Sequence, residues 1–260
     1  DVSEHNPIPT NSIVPPSETQ VAWKLAALVL ITLTLVKPLG GIPWIGPIGF
    51  TLAAGLQLWL PIHRMDKLGL DYDFLGLHRS ALRQDLRIVG WLCLITFIPY
   101  AIGHHFYMTE ARALAFDLGL GELGQYLPSR QLAPTLPTDP AGWLSGSWWL
   151  LNLSATHLLG VALPEETFYR GYLQPQLEQK WPPKTRVFGA LVGRALIVSS
   201  ALFALGHFLG EWNPLRLGPF IPSLIFGWQR SKTGSIWGAV LFHAACNIFG
   251  QLLFQLYAPI

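Results

Sequence analysis

The stretch that decides the fold is Pro164-Glu-Glu-Thr-Phe-Tyr-Arg-Gly-Tyr-Leu173, because it sets three charged side chains into an otherwise apolar part of the chain. A charge in or near a bilayer costs roughly 2.5–3.5 kcal/mol before it is paired, so such a stretch indicates a functional site. If it is helical, Glu166 and Arg170 stand at i, i+4 on one face, the spacing at which opposite charges meet. Glu165 is rotated by about 100° from Glu166. Arg170 therefore cannot pair equally with both acids, and one carboxylate is expected to face another partner.

The composition identifies a membrane protein. Hydrophobic residues make up 51% of the 260 positions and charged residues only 12%, about half the charged share of soluble domains. Eleven Trp and seven Tyr fit the aromatic belts of an integral protein. The formal charge of +2 is too small to indicate a nucleic-acid partner. Cys93 and Cys246 both lie in apolar segments, which argues against a disulfide framework and a Cys-based zinc site.

Seven apolar runs predict an all-α fold, a polytopic transmembrane helical bundle of about seven spans. They cover residues 21–36, 44–62, 88–107, a fourth run from 148 onward, and then about 194–212, 217–229 and 236–257. The sixth run is short and carries Pro219 and Pro222, so it is the run most prone to a kink or a re-entrant path.

The chain divides into three regions by composition. Residues 1–20 are polar, without Lys or Arg and without an apolar core, unlike a secretory signal. Residues 21–147 hold the first spans, an amphipathic surface segment at 63–87 and a long outer connection at 108–147, whose prolines argue against one continuous helix. Residues 148–260 contain the polar motifs and form the third region.

The distribution of Lys and Arg predicts the orientation of the spans. These residues collect in segments 61–87, 170–194 and 230–235, whereas the alternate connections hold few of them. Positively charged loops stay on the cytoplasmic side. The pattern predicts a multi-pass integral membrane protein with its N-terminus inside and its C-terminus outside.

Two later runs bring polar side chains to a common depth. His207 lies roughly 18–20 Å along its predicted helix from the inner end, and His243 and Asn247 lie roughly 12 and 18 Å along theirs. Glu165 reaches that level only if the fourth helix continues to about Gln174 or beyond. We therefore predict this extension, which the apolar window alone does not suggest.

These side chains together can support peptide hydrolysis without a covalent nucleophile. A carboxylate and a histidine can hold and deprotonate a water molecule. A second histidine and an asparagine amide can donate hydrogen bonds to the oxyanion of a tetrahedral intermediate.

The order of the motifs resembles a known family. The stretches Glu165-Glu166-Thr-Phe-Tyr-Arg170, Phe203-Ala-Leu-Gly-His207 and His243-Ala-Ala-Cys-Asn247 look like the EExxxR, FxxxH and HxxxN/D motifs of the CPBP family of CAAX proteases and bacteriocin-processing enzymes. The resemblance covers residues 148–257. It implies that Glu165 and His207 activate the water without a metal cofactor, and that His243 and Asn247 form the oxyanion hole. It also implies that Glu166 and Arg170 are structural or orient the substrate.

Several alternatives stay open. Glu165, His207 and His243 are the two-histidine, one-carboxylate set that catalytic zinc uses, although no HExxH motif is present. The scaffold also fits a non-catalytic immunity or chaperone-like membrane protein. A small transporter is a further alternative, although the sequence lacks the paired broken helices in two symmetric halves that transporters favour. His157 and the His104-His105 pair belong to none of the motifs and are interpreted as interfacial or structural.

The resemblance further implies the partners and the location. The expected substrate is a membrane-anchored protein or peptide within or close to the lipid bilayer: a prenylated tail, a bacteriocin precursor or a C-terminal sorting anchor. Of these substrates, the bacteriocin precursor and the sorting anchor are the bacterial ones and are preferred. The expected location is therefore a bacterial inner membrane. The sequence does not indicate an oligomeric state.

Overall fold

The computed structural model describes residues 17–128 and 140–257, which form a helical bundle with one small hairpin. The helices are α1 (Ser17–Val36), α2 (Ile45–Leu68), α3 (Leu82–Thr109), α4 (Ala111–Asp117), α5 (Gly121–Gly124), α6 (Pro140–Ala155), α7 (Leu163–Glu166), α8 (Gln174–Lys180), α9 (Arg194–Phe208), α10 (Phe220–Thr233) and α11 (Trp237–Leu256). Three short 3-10 turns cover Lys37–Leu39, Tyr72–Leu75 and Pro214–Leu217. Strands β1 (Thr185–Val187) and β2 (Ala190–Val192) pair in an antiparallel hairpin.

Residues 140–180 are helical without a break, and we call them the motif helix. Two π-helical segments, Thr156–Ala162 and Thr167–Leu173, join α6 to α7 and α7 to α8. The predicted extension past Gln174 is therefore confirmed. Pro164 and Pro175 stand at the starts of α7 and α8. Proline cannot donate the α-helical hydrogen bond, and each of the two follows a π-helical segment, where the hydrogen-bond register is already shifted.

Helices long and apolar enough to cross a membrane are found at Glu18–Leu39, Ile45–Leu68, Leu82–Thr109 and Trp237–Leu256, which makes four within the described residues. Each of the seven predicted runs coincides with a helix, but α9 is a shorter apolar helix. Helix α10 starts at Phe220, so Pro222 lies in its first turn, where a missing N–H costs no helical hydrogen bond. The chain is therefore an integral membrane protein with a helical-bundle fold.

Residues 63–87, predicted to be an amphipathic surface segment, comprise the end of α2, the turn Tyr72–Leu75 and the start of α3. Part of this segment is buried, since Leu75 is fully enclosed. Gly76 accepts a backbone hydrogen bond from Ile236 at 3.0 Å, and the Trp237 indole donates to the Leu77 carbonyl. The apolar residues of the segment therefore pack against the turn between α10 and α11.

The outer connection and the chain ends are described in part. Residues 108–128 contain α4 and α5, in agreement with the prediction that no continuous helix crosses the connection. Residues 129–139 and most of the polar segment 1–20 lie outside the described residues.

The largest core cluster is centred on the motif helix. Its fully buried aromatic side chains are Phe168, Tyr172, Phe203, Phe226 and Phe242. They come from the motif helix, α9 and α11, which carry the three sequence motifs, and from α10, which packs among them. Packing of this core therefore brings the motifs together.

Candidate active site

The first component of the site is a buried ion pair within the motif helix. Arg170 Nη1 lies 3.1 Å from Glu166 Oε1, and both side chains are fully buried. Arg170 also donates to the carbonyl of Ser223 at 3.0 Å and to its hydroxyl. Its guanidinium lies 4.6 Å from the Phe203 ring centre, a cation–π distance. The predicted i, i+4 pairing of Glu166 with Arg170 is present. Arg170 is in addition hydrogen-bonded to Ser223 of α10.

His243 links the two glutamates. Its Nδ1 lies 2.8 Å from Glu166 Oε1, and its Nε2 lies 3.8 Å from Glu165 Oε2. Because Arg170 already donates to this carboxylate, we treat Glu166 as the acceptor and His243 Nδ1–H as the donor. The imidazole stacks on Phe226, with ring centres 4.8 Å apart. Glu166 and Phe226 thus fix the ring so that its second nitrogen points toward Glu165.

Glu165 is the more accessible of the two acids. Its side chain is 18% exposed, whereas that of Glu166 is fully buried. Within the described residues, Glu165 Oε2 has no hydrogen-bond partner. The carboxylate interacts electrostatically with His207 and with Lys37. Glu165 is therefore the acid that does not pair with Arg170, as the helical geometry predicts, and it lies near His207 instead.

His207 lies in the last turn of α9. Its Nδ1 is 3.0 Å from the carbonyl oxygen of Phe203, and because a carbonyl only accepts, Nδ1 carries the proton. In the neutral ring Nε2 is then free to accept a proton. Lys37, at the end of α1, donates to the His207 carbonyl and lies 3.4 Å from Glu211. This contact ties the end of α9 to the end of α1.

Asn247 lies one helical turn after His243 on α11 and is partly exposed. The structure assembles most of the predicted set through contacts and charge interactions: Glu165, Glu166, Arg170, His207 and His243. Among the described residues, Asn247 makes no hydrogen bond or ion pair with these five. Its position is therefore next to the cluster but not bonded to it.

His157 belongs to the same neighbourhood, although it was interpreted as interfacial or structural. It interacts electrostatically with Glu165 and His243, and its Nδ1 is buried without a hydrogen-bond partner in the described part of the chain. The signal in the sequence was its position eight residues, about two turns, before Glu165. His104, by contrast, packs edge-on against Phe254 as an ordinary core residue.

The metal-binding potential of the site is limited by its geometry. Across residues 17–128 and 140–257, no three His, Cys, Asp or Glu side chains are arranged as a metal-binding group. Cys93 and Cys246 are free thiols. Glu165, His207 and His243 therefore do not form a three-ligand group in the described part of the chain.

Comparison with protein families adds one finding. Residues 147–249 match the family described as type II CAAX prenyl endopeptidase Rce1-like. The matched range contains all six predicted site residues: Glu165, Glu166, Arg170, His207, His243 and Asn247. No curated protein and no solved structure matches the chain. The family match and the three motifs coincide, so residues 147–249 form an Rce1-like domain that matches the CPBP (CAAX protease) family.

Proposed function

We propose that the protein is a glutamic intramembrane endopeptidase, in which Glu165 and His207 activate the water that attacks a peptide bond. The observation that carries this proposal is the contrast between the two adjacent acids. Glu166 is fully buried and bonded to Arg170 and His243, whereas the Glu165 side chain is 18% exposed and makes no hydrogen bond within the described residues. A general base must be free to reach its water.

The reaction follows from these positions. A water molecule held by Glu165 and His207 Nε2 gives a proton to the carboxylate while its oxygen forms a bond to the substrate carbonyl carbon. The π electrons of the substrate carbonyl move to the carbonyl oxygen, which becomes the oxyanion. The oxyanion then re-forms the carbonyl double bond, the carbon–nitrogen bond breaks with its electron pair going to nitrogen, and the proton passes from Glu165 to the leaving amine. Positioned acid–base catalysis of this kind contributes roughly 10²–10⁴-fold.

The oxyanion is assigned to His243 and Asn247. Donation from His243 Nε2 requires the ring to carry both protons, because Nδ1–H is already directed at Glu166. The Asn247 amide supplies a second donor from the next turn of α11. Loss of one such donor typically lowers kcat by about 10²–10³-fold. Glu166 and Arg170 orient His243 in this scheme and do not touch the reacting atoms.

We also infer seven spans, with the motif helix, α9 and α10 added to the four long apolar helices. The motif helix measures about 60 Å, twice the thickness of the hydrocarbon core. Helix α9 measures about 22 Å and ends directly after His207. A helix shorter than the core of about 30 Å leaves room for water above its end, which supports access of water to His207.

The substrate is a membrane-anchored protein or peptide. The description of the matched family names prenyl endopeptidases, so a prenylated C-terminal tail is one substrate class. A bacteriocin precursor and a C-terminal sorting anchor are the others, and they go with a bacterial inner-membrane location.

The proposal is tested by cleavage of a panel of membrane-anchored peptides by purified protein in detergent. Glu165→Gln should lose activity by at least about 10²-fold, whereas Glu122→Gln, an exposed acid in α5, should keep it. Activity of the wild type should survive a strong chelator.

Each other outcome contradicts part of the proposal. Loss on chelation with rescue by zinc would favour the zinc-dependent alternative, with Glu165, His207 and His243 as ligands. Full activity of Glu165→Gln would exclude the glutamate as the base. Absence of cleavage by folded protein on every substrate class would favour the non-catalytic immunity or chaperone-like alternative.

A further inference from the structure

The hairpin between the motif helix and α9 has an unusual tip. Phe188 and Gly189 form its two-residue turn, and both have positive φ, 45° and 82°. Such a turn favours Asn-Gly, and a bulky aromatic residue at positive φ is an outlier. Phe188 is also 89% exposed. Neither the backbone nor internal packing therefore accounts for an aromatic side chain at this position.

The hairpin is held firmly in place by α10. The Trp228 indole donates to the Val187 carbonyl at 2.9 Å, and Lys232 Nζ donates to the Phe188 carbonyl at 3.0 Å. These bonds fix the turn from the protein side. The Phe188 ring consequently projects outward from a fixed support, and Leu191 in β2 is also exposed.

The surroundings of the hairpin are basic. Residues 179–210 contain no Asp or Glu. They contain four basic residues, of which three have exposed side chains around the hairpin: Lys184, Arg186 and Arg194. An apolar tip surrounded by basic side chains is complementary to a surface that is anionic outside and apolar beneath.

The position of the hairpin identifies that surface. It directly precedes α9, an apolar helix whose Ile197 is 55% exposed, as expected of a lipid-facing residue. Arg194 begins this helix on the side where Lys and Arg collect, which is the inner side by the positive-inside rule. The hairpin therefore lies at the level where a bilayer surface begins.

We propose that hairpin 185–192 is an interfacial anchor that binds the anionic phospholipids of the inner leaflet. Phe188 inserts at the boundary between headgroups and acyl chains, while Lys184, Arg186 and Arg194 contact lipid phosphates. Aromatic residues are enriched at this boundary, and basic segments are attracted to anionic leaflets. The proposal does not depend on the peptidase chemistry.

The test uses Phe188→Cys labelled with the environment-sensitive fluorophore NBD, in full-length protein whose Cys93 and Cys246 are replaced by alanine. The protein is reconstituted in phosphatidylcholine vesicles with and without phosphatidylglycerol. With phosphatidylglycerol, the label emission should shift to the blue and be quenched by doxyl-labelled lipids, and high salt should reduce both effects. A label at Asp73, exposed on the same side of the protein, should report water throughout.

Three results would overturn the proposal. The label at position 188 could report water in both lipid compositions. It could shift equally in both, without a salt effect, which would remove the anionic-lipid contact. Or its shift could grow with the protein-to-lipid ratio, which would assign the hairpin to contact with a second copy of the chain.

A second variant separates the anchor from folding. Phe188→Gly relieves the positive-φ strain, so its Tm in detergent should equal or exceed that of the wild type. Addition of phosphatidylglycerol to the detergent should raise the Tm of the wild type more than that of this variant. Equal shifts would show that Phe188 makes no contribution to lipid binding.

Discussion

Arg170 shows how one side chain supports the site at the scale of a residue. It is fully buried and neutralises Glu166, which in turn orients His243. Removing one member of a buried ion pair leaves an unpaired charge and costs about 3–5 kcal/mol. We expect Arg170→Ala to lower the Tm in detergent strongly.

The matched control for this prediction is Arg216→Ala. Arg216 pairs with Glu211 at the surface, and its side chain is 47% exposed. Exposed pairs contribute about 0–1 kcal/mol, so this variant should stay close to the wild type. Similar Tm losses in the two variants would contradict a special structural role of Arg170.

Glu211 gives a prediction about pH. Burial raises the pKa of Glu211. The hydrogen bond and positive charge of Arg216, together with the weaker effect of the Lys37 charge, outweigh burial and hold this pKa below its ordinary value. A lowered pKa contributes stability above the ordinary carboxyl pKa, and this stability is lost as the pH falls through the lowered value. Tm measured against pH should therefore show a wild-type advantage over Glu211→Gln at neutral pH that disappears on acidification. A difference that stays constant down to the lowest pH would refute this linkage.

At the scale of the element, the motif helix depends on close approach of the turn Tyr72–Leu75. A Cβ on Gly171 would lie 2.9 Å from the Leu75 carbonyl oxygen, a backbone atom that cannot move aside cheaply. Overpacking of this kind costs about 1–3 kcal/mol. Gly171→Ala should therefore destabilise the protein in thermal unfolding.

Gly160→Ala is the control in the same helix. No atom lies within 4 Å of its added Cβ, and alanine is the better helix former by about 1 kcal/mol. Its Tm should be unchanged or higher. If both glycines tolerate alanine equally, the turn does not pack on the motif helix as tightly as the structure indicates.

At the scale of the whole molecule, the proposed seven spans, with the N-terminus inside, predict the side on which each loop lies. Cysteines at Asp73 and Lys180 should react with a membrane-impermeant maleimide only from the inner side. Cysteines at Glu122 and Leu215 should react only from the outer side. Labelling of positions 180 and 215 from the same side would mean that α9 does not cross the membrane.

The sequence by itself determined what depends on local spacing and composition. Each predicted apolar run coincides with a helix, but α2, α3 and the motif helix extend six to eight residues beyond their runs at one end, where the added residues are less apolar. The i, i+4 spacing determined the pairing of Glu166 with Arg170, and the depth of His207 required the longer fourth helix. The resemblance to the CPBP family followed from the motifs, because their order is itself a property of the sequence.

Only the tertiary structure decided which long-range partners meet. His243 lies between the two glutamates although it is 77 residues from Glu166, and no local spacing encodes that contact. His157 interacts electrostatically with His243 of α11, 86 residues later in the chain, which no local spacing encodes. Leu75 is buried because its turn packs closely against Gly171 of the motif helix. The physical reason is the same in each case: side-chain packing between distant elements selects the final geometry among several that the local pattern allows.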